Sequence, residues 1–332
     1  MGQARLDYMK DSAWKRGTAK KIDNLPPFEL PYAKDAVLID LVDPDVLPDA
    51  QVNFLEMIEV RSTLRQYDDT KELSNKELSY LLWCTQGVKM VMQTKTIRNV
   101  PSAGGRNALE TFLYIRRVEG IKPGLYRFLP LEHKLLLVSD AEDIEEKICS
   151  QFSTVGVANN AAVVFLWTAV YERMDCMFGE RAYRYIYLDA GHVCQNLYLA
   201  AQTMHIKVCA LGAFDDEVLN QNLGFDGENQ FVVYGAGVVG MLRDIYSLYK
   251  PNGDETLVSS VYGRKVSFYY LPNGETDKSK ALYLISFKIR GREDWRDTLM
   301  SGVGYQDKSS EQIERDIITV VDREIQQAVR GK

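Results

Sequence analysis

Residues 161–170 read Ala-Ala-Val-Val-Phe-Leu-Trp-Thr-Ala-Val, apolar apart from Thr168. The run is far too short to cross a bilayer, and a stretch with no polar alternation is what a strand buried on both faces requires. Such a strand needs a layer on each side of its sheet. The segments 111–116, 124–128 and 134–139 alternate in strand fashion between Gly, Pro or charged turns. They predict an antiparallel meander, with 230–234 as a further buried strand.

The covering helices are also readable. Over 182–204, Ile186, Ala190, Val193, Leu197 and Met204 recur at helical steps, while Asp189, His192 and Asn196 share another face. Gly191 inside that helix costs about 1 kcal/mol relative to alanine, which predicts close packing of another backbone there. A second helix is expected over 74–86, with Ser74 and Glu77 in a capping box, Leu78, Leu81 and Leu82 on one face and Gly87 as its stop. Shorter helices are expected over 52–60, over 140–152, and from Asp215 or Asp216 to Gly224. Residues 1–50, broken by Pro26, Pro27, Pro31, Pro44 and Pro48, read as an arm that wraps a surface. Residues 51–247 form the main domain. Residues 248–332 form a small β-β-α appendage, with strands over 265–271 and 281–289 and a helix from Ser309 to Val329.

With 46% hydrophobic and 26% charged residues, the chain can bury a real core, and its net charge of −6 disfavours a general nucleic-acid or anionic-membrane surface. Lys15, Arg16, Lys20 and Lys21 make one local basic arm. Five widely spaced cysteines with no Cys-x-x-Cys pair argue against a disulfide framework or a zinc ribbon, and His133 and His205 match no metal spacing. A cytoplasmic protein without a metal is expected.

The chemistry concentrates in Arg61-Ser62-Thr63-Leu64-Arg65-Gln66-Tyr67, two forked cations and two hydroxyls with no acid before Asp68. A phosphate monoester asks for that donor set, although a solvated basic turn has the same composition. Next, Pro101-Ser102-Ala103-Gly104-Gly105 lets a backbone come close to a flat or anionic ligand, and a plain loop reads alike. His192 is either a proton donor or a hydrogen-bonded packing residue. Gly235-Ala236-Gly237-Val238-Val239-Gly240 formally matches a dinucleotide fingerprint, but no strand ending in an acid follows it, so a glycine-rich strand end is the alternative.

Taken in order, the Arg61–Tyr67 run, Pro101-Ser102-Ala103-Gly104, the helix with Asp189-Ala190-Gly191-His192-Val193 and Gln195-Asn196-Leu197, and Gly212-Ala213-Phe214-Asp215-Asp216 resemble the nitroreductase family. The likeness is strongest to its SagB-type branch, flavin-dependent dehydrogenases associated with azoline oxidation in peptide natural products. It extends over about residues 25–240 and leaves the appendage unexplained.

The resemblance implies an α+β fold with a central, mostly antiparallel sheet wrapped by helices, working as a homodimer with FMN in the subunit interface. It implies that Arg61, Ser62 and Thr63 hold the FMN phosphate and ribityl chain and that Arg65 faces the N1/O2 edge of the ring. Pro101, Ser102, Ala103 and Gly104 would come from the partner subunit, and Ala210, Leu211, Gly212 and Ala213 would lie along the ring. Arg243 is a further phosphate candidate. The implied activity is a ping-pong flavin cycle in which NAD(P)H or the substrate gives hydride and a small organic acceptor takes it. Tyr183, Tyr185 and His192 are the proton-donor candidates. Where the SagB branch tends to carry a Lys-Tyr pair, this chain has Met177-Phe178, so a quinone, nitro compound or enone is as well supported as an azoline. A different expectation is a flavin-binding partner protein whose appendage carries the biology.

Overall fold

A computed structural model describes residues 2–14, 25–47, 54–61, 63, 65, 72–204 and 206–239, and the strand backbones 258–261, 264–271, 282–288 and 295–301. The basic run Lys15–Lys21, Ser62, His205, Gly240, Arg243 and the expected helix after Ser309 lie outside the described residues. The chain divides into two compact units, Met1–Met241 and Leu242–Lys332.

The first unit runs α1 (Gly2–Asp11), β1 (Leu38–Asp40), α2 (Phe54–Val60), α3 (Asn75–Gln86), β2 (Val88–Val91), β3 (Thr96–Arg98), β4 (Leu109–Ile115), β5 (Gly124–Leu129), β6 (Lys134–Ser139), α4 (Ile144–Cys149), α5 (Val155–Asn160), β7 (Val163–Val170), α6 (Glu172–Phe178), α7 (Ala182–Thr203), β8 (Lys207–Leu211), α8 (Asp216–Leu223) and β9 (Gln230–Val239). Seven strands form one sheet in the order β1-β6-β5-β4-β7-β9-β8, with every neighbouring pair antiparallel. The apolar run becomes β7, flanked by β4 and β9 and covered on both faces. Val163, Phe165 and Trp167 join Leu78, Leu82, Ile186 and Leu197 of α3 and α7 in one core. Val164 and Leu166 join Ile148, Val157 and Leu219 of α4, α5 and α8 in the other. The period-2 alternation of a strand thus feeds two apolar layers at once, which is why no polar position interrupts β7 before Thr168.

The capping box of α3 is formed: Glu77 N donates to Ser74 Oγ at 3.2 Å and Ser74 N donates to Glu77 Oε2 at 2.9 Å. Gly87 ends the helix where a Cβ would fall 2.3 Å from Trp83 Cε3, so only glycine fits that turn. Asp215 caps α8 through Val218 N, and Gly224 closes it in a left-handed conformation at φ 76°.

Two expectations are corrected, and the alternative of a glycine-rich strand end is the one that holds. The helix over 140–152 is only Ile144–Cys149, because the chain extends at Phe152 to place its buried ring 5.8 Å from Phe214 and against Gly235. Gly235 and Gly237 lie inside β9, paired to Leu166 and Val164, so the glycine run is strand interior and not a phosphate-binding turn. A Cβ at Gly235 would sit 3.1 Å from Phe165 O, and that close strand approach accounts for the glycine. Gly191 is exposed, with nothing within 4 Å of a Cβ built on it, so no other backbone among the described residues packs there.

The second unit holds a four-stranded antiparallel sheet, β10 (Val258–Val261), β11 (Arg264–Leu271), β12 (Leu282–Lys288) and β13 (Trp295–Ser301), paired in sequence order. The two inner strands match the expectation. The two outer ones went unread because Val-Ser-Ser-Val is short and Trp-Arg-Asp-Thr opens on charges.

Candidate functional site

The basic turn begins as α2 ends, where Arg61 N donates to Met57 O at 3.1 Å. The Arg61 guanidinium lies 5.5 Å from the centroid of the Tyr198 ring on α7, a cation–π contact that fixes its direction. Thr63 Oγ1 and the Tyr198 hydroxyl are 3.1 Å apart, and Ala210 N of β8 donates to that same hydroxyl at 2.8 Å. A phenol that accepts from Ala210 can donate to Thr63, which leaves the Thr63 hydrogen for a ligand. Burial raises the Tyr198 pKa, so this bridge is neutral at physiological pH.

Arg65 is exposed, and its charge opposes the burial that pushes up the thiol of Cys209 on β8. From there the chain passes through Ala210 and Leu211 to exposed Gly212 and Ala213. A Cβ at Gly212 would approach Tyr234 Cε2 to 3.2 Å. Burial holds Tyr234 and Cys194 up at about 12.

A second group is built on the loop after β3. Gly104 and Gly105 take φ 61° and 65°, and a Cβ at Gly104 would meet Met177 Sδ at 2.7 Å and Phe178 Cζ at 3.2 Å. Ser102 Oγ accepts from Asn107 N at 2.9 Å, and Ala103 N donates to Asp189 Oδ1 at 3.3 Å. Burial raises the Asp189 pKa, and the Ser102 hydroxyl and Ala103 N–H oppose that rise. Asp189 and Tyr198 are both on α7, about 13 Å apart along its axis at the helical rise. One rigid helix therefore carries the supports of both groups.

The proline-rich arm braces the same region. Arg173 Nε donates to Pro27 O at 2.8 Å, one Arg98 nitrogen to Phe28 O at 3.3 Å, and one Arg127 nitrogen to Leu30 O at 2.7 Å. Glu110 Oε1 accepts from Leu30 N at 3.2 Å and pairs with Arg173 at 2.6 Å, both side chains being 2% exposed. Burial lowers the Arg98 pKa to about 10, which still leaves it cationic at neutral pH.

The proton-donor candidates are dispersed. Tyr183 stacks on Tyr171 at 4.8 Å and Phe231 at 5.8 Å. Tyr185 packs on Phe178 at 4.6 Å, next to Gly104, and accepts from Arg181 Nε at 2.9 Å. His192 is exposed on α7. Sequence reading missed Tyr198, Tyr234 and the arginine clamp, none of which belongs to a motif. Among the described residues no His, Cys, Asp or Glu cluster could hold a metal ion, and no helix is long and apolar enough to cross a membrane.

Arg61 over the Tyr198 ring, the Thr63 hydroxyl and the exposed strand end at Gly212 and Ala213 are set in a helix-covered antiparallel sheet. The class is that of FMN-dependent oxidoreductases. The model of the nitroreductase family matches residues 58–241, more than half of the chain, and the protein belongs to that family. A Methanocaldococcus jannaschii protein described as a nitroreductase is 32% identical over 178 residues, 53% of this chain and 87% of that one. The trifolitoxin-processing protein TfxB of Rhizobium leguminosarum bv. trifolii is 24% identical over 154 residues, 45% of this chain and 41% of its own length. The crystal structure of an Anabaena variabilis protein, also described as a nitroreductase, superposes with a TM-score of 0.51 at 24% identity over 69% of this chain. The chain spans 44% of that protein, less than half its length.

Proposed function

We propose that the protein binds FMN between two copies of the chain and passes hydride from NAD(P)H, or from the substrate itself, to a small organic acceptor in a ping-pong cycle. The Tyr198 bridge carries this reading: one buried phenol ties Thr63 of the basic turn to Ala210 at the start of the 210–213 strand end. In this reading Arg61, Ser62 and Thr63 hold the phosphate and ribityl chain; Arg243, the further candidate, lies outside the described residues. Arg65 faces the ring edge that gains negative charge on reduction, where a fixed cation is most effective. When bound, FMN supplies the two-electron exchange. The chain would orient it with Arg61 and Thr63 and present the 210–213 backbone to its face. The donor set fits such a group because Arg61 is held over the Tyr198 ring and the exposed Arg65 follows it four residues on.

The homodimer is supported by exposed apolar side chains: Phe54 and Ile58 on α2 are 69% and 44% exposed, and Tyr187 and Leu188 on α7 are each 58% exposed. Beside the latter, the uncovered Gly191 leaves room for a close helix approach, and the loop 101–104 would reach the partner's flavin. The catalytic domain is taken to end near residue 247, with the appendage outside it. Anaerobic NADPH should bleach the flavin absorption of the purified protein, and a quinone should restore it. A flavin that neither NADPH nor NADH reduces would remove the nicotinamide from the cycle.

A second reading, azoline oxidation in the SagB branch, draws on the likeness to TfxB. Against it, Met177 and Phe178 pack on Gly104 and offer no base. Oxidation of a thiazoline-containing peptide by the purified protein would establish it.

A further inference from the structure

β2 and β3 form a two-stranded hairpin that flanks the loop after Val100, and the two line an open cavity of about 590 Å³. Among the described residues its lining includes Lys89, Lys95 and Arg98 and no Asp or Glu. The cations are placed in different ways. Arg98 is buried, with Nη1 donating to Gln86 Oε1 at 2.8 Å and Nη2 to Phe28 O of the arm, while its buried Nε–H has no partner among the described residues. Lys95 lays its stem on the loop, with Cδ 3.0 Å from a Cβ position at Gly105. Lys89 occupies the register shift between the Val88↔Arg98 and Met90↔Ile97 pairs, the position from which a bulge re-aims a side chain.

The wall is rigid where it meets the loop. Arg106 donates to Thr94 O at the hairpin tip and to Gly104 O, while Asn107 Nδ2 donates to Thr96 O at 2.9 Å and Gly105 O at 3.0 Å. Three cations around an acid-free cavity, two of them with no ion pair among the described residues, form a site built for negative charge.

We propose that this cavity receives the anionic group, carboxylate or phosphate, of the molecule that exchanges electrons with the flavin, with Lys89 and Lys95 as its ligands. The assignment to an electron-exchange partner rests on the flavin reading, because the cavity floor is the Pro101–Gly105 loop. The anion has two sources: a carboxylate on the acceptor, or the 2′-phosphate that distinguishes NADPH from NADH.

The test uses the full-length protein as purified and the double variant Lys89→Gln/Lys95→Gln, with its melting temperature as a check of folding. Titration calorimetry is run with 4-nitrobenzoate against 4-nitrobenzamide, and with NADPH against NADH. Wild type should prefer the anionic member of one pair by about tenfold, as a charge-assisted contact to two ammonium groups provides, and the variant should lose most of that preference. The pair that responds identifies the source. Lys89→Arg/Lys95→Arg should restore it. Equal preference in wild type and variant for both pairs overturns the proposal, as does loss of FMN in the variant, which would make these lysines cofactor ligands. Failure of wild type to bind FMN, with the anion preference intact, would sink the flavin reading alone.

Discussion

Tyr198→Phe removes one oxygen and leaves the ring under Arg61, so it isolates the bridge. Two hydrogen bonds are lost, that from Ala210 N at 2.8 Å and that with Thr63 Oγ1 at 3.1 Å. At about 1 kcal/mol each, the first unit should lose about 2 kcal/mol, or about 4–8 °C in melting temperature. The part that falls on Thr63, about 1 kcal/mol, should appear as an FMN Kd raised about fivefold, read by quenching of flavin fluorescence. Thr63→Ala should weaken FMN as well, and the double variant should be less than additive by about 0.5–1 kcal/mol because both changes break the same contact. Full additivity, or a Tyr198→Phe Kd within about twofold of wild type, would show that the bridge does not position the cofactor site.

Arg173→Leu strands Glu110 at 2% exposure and releases the carbonyl of Pro27, so urea unfolding should show a loss of about 3–5 kcal/mol. Arg173→Leu/Glu110→Leu should recover a large part of it, since the uncompensated charge is gone. Asp189→Asn should stabilise the protein at pH 7, because burial makes the charged carboxylate costly there. Asp189 has a folded pKa raised above 3.8, so the advantage of Asn is present at neutral pH and fades as pH falls through that raised value. A constant advantage from pH 7 to pH 3 in thermal melts would contradict that origin. Tyr234, raised from 10.0 to about 12, stabilises the fold below pH 10, and that contribution should be lost as pH climbs from 10 to 12. Tyr234→Phe should flatten that part of the profile.

The layered core was legible because its signals are local. β7 shows its two buried faces as an unbroken apolar run, and α3 and α7 show theirs as steps of three and four, α3 with a capping box and a glycine stop besides. The segments that failed to show depend on distant partners. The β2–β3 hairpin turns through Met92-Gln93-Thr94 without Gly or Pro, and Arg106 and Asn107 hold it from beyond the strand. The predicted helix over 140–152 gives way where Phe152 is drawn to Phe214 and Gly235, a tertiary contact that outweighs propensity. At the site, Arg61, Thr63 and Arg65 stood out as a cluster of donors. Their fixed direction did not, because Tyr198 lies far along the chain and carries no motif.

The central claim is that the basic turn and the 210–213 strand end together grip FMN. Equilibrium dialysis of the refolded apoprotein against FMN, for wild type and Arg65→Ala, tests it most directly. The account predicts stoichiometric binding by wild type and at least about tenfold weaker binding by the variant, the loss of one charge-assisted contact. A protein that stays colourless in excess FMN, or an Arg65→Ala variant that binds as tightly as wild type, would contradict it.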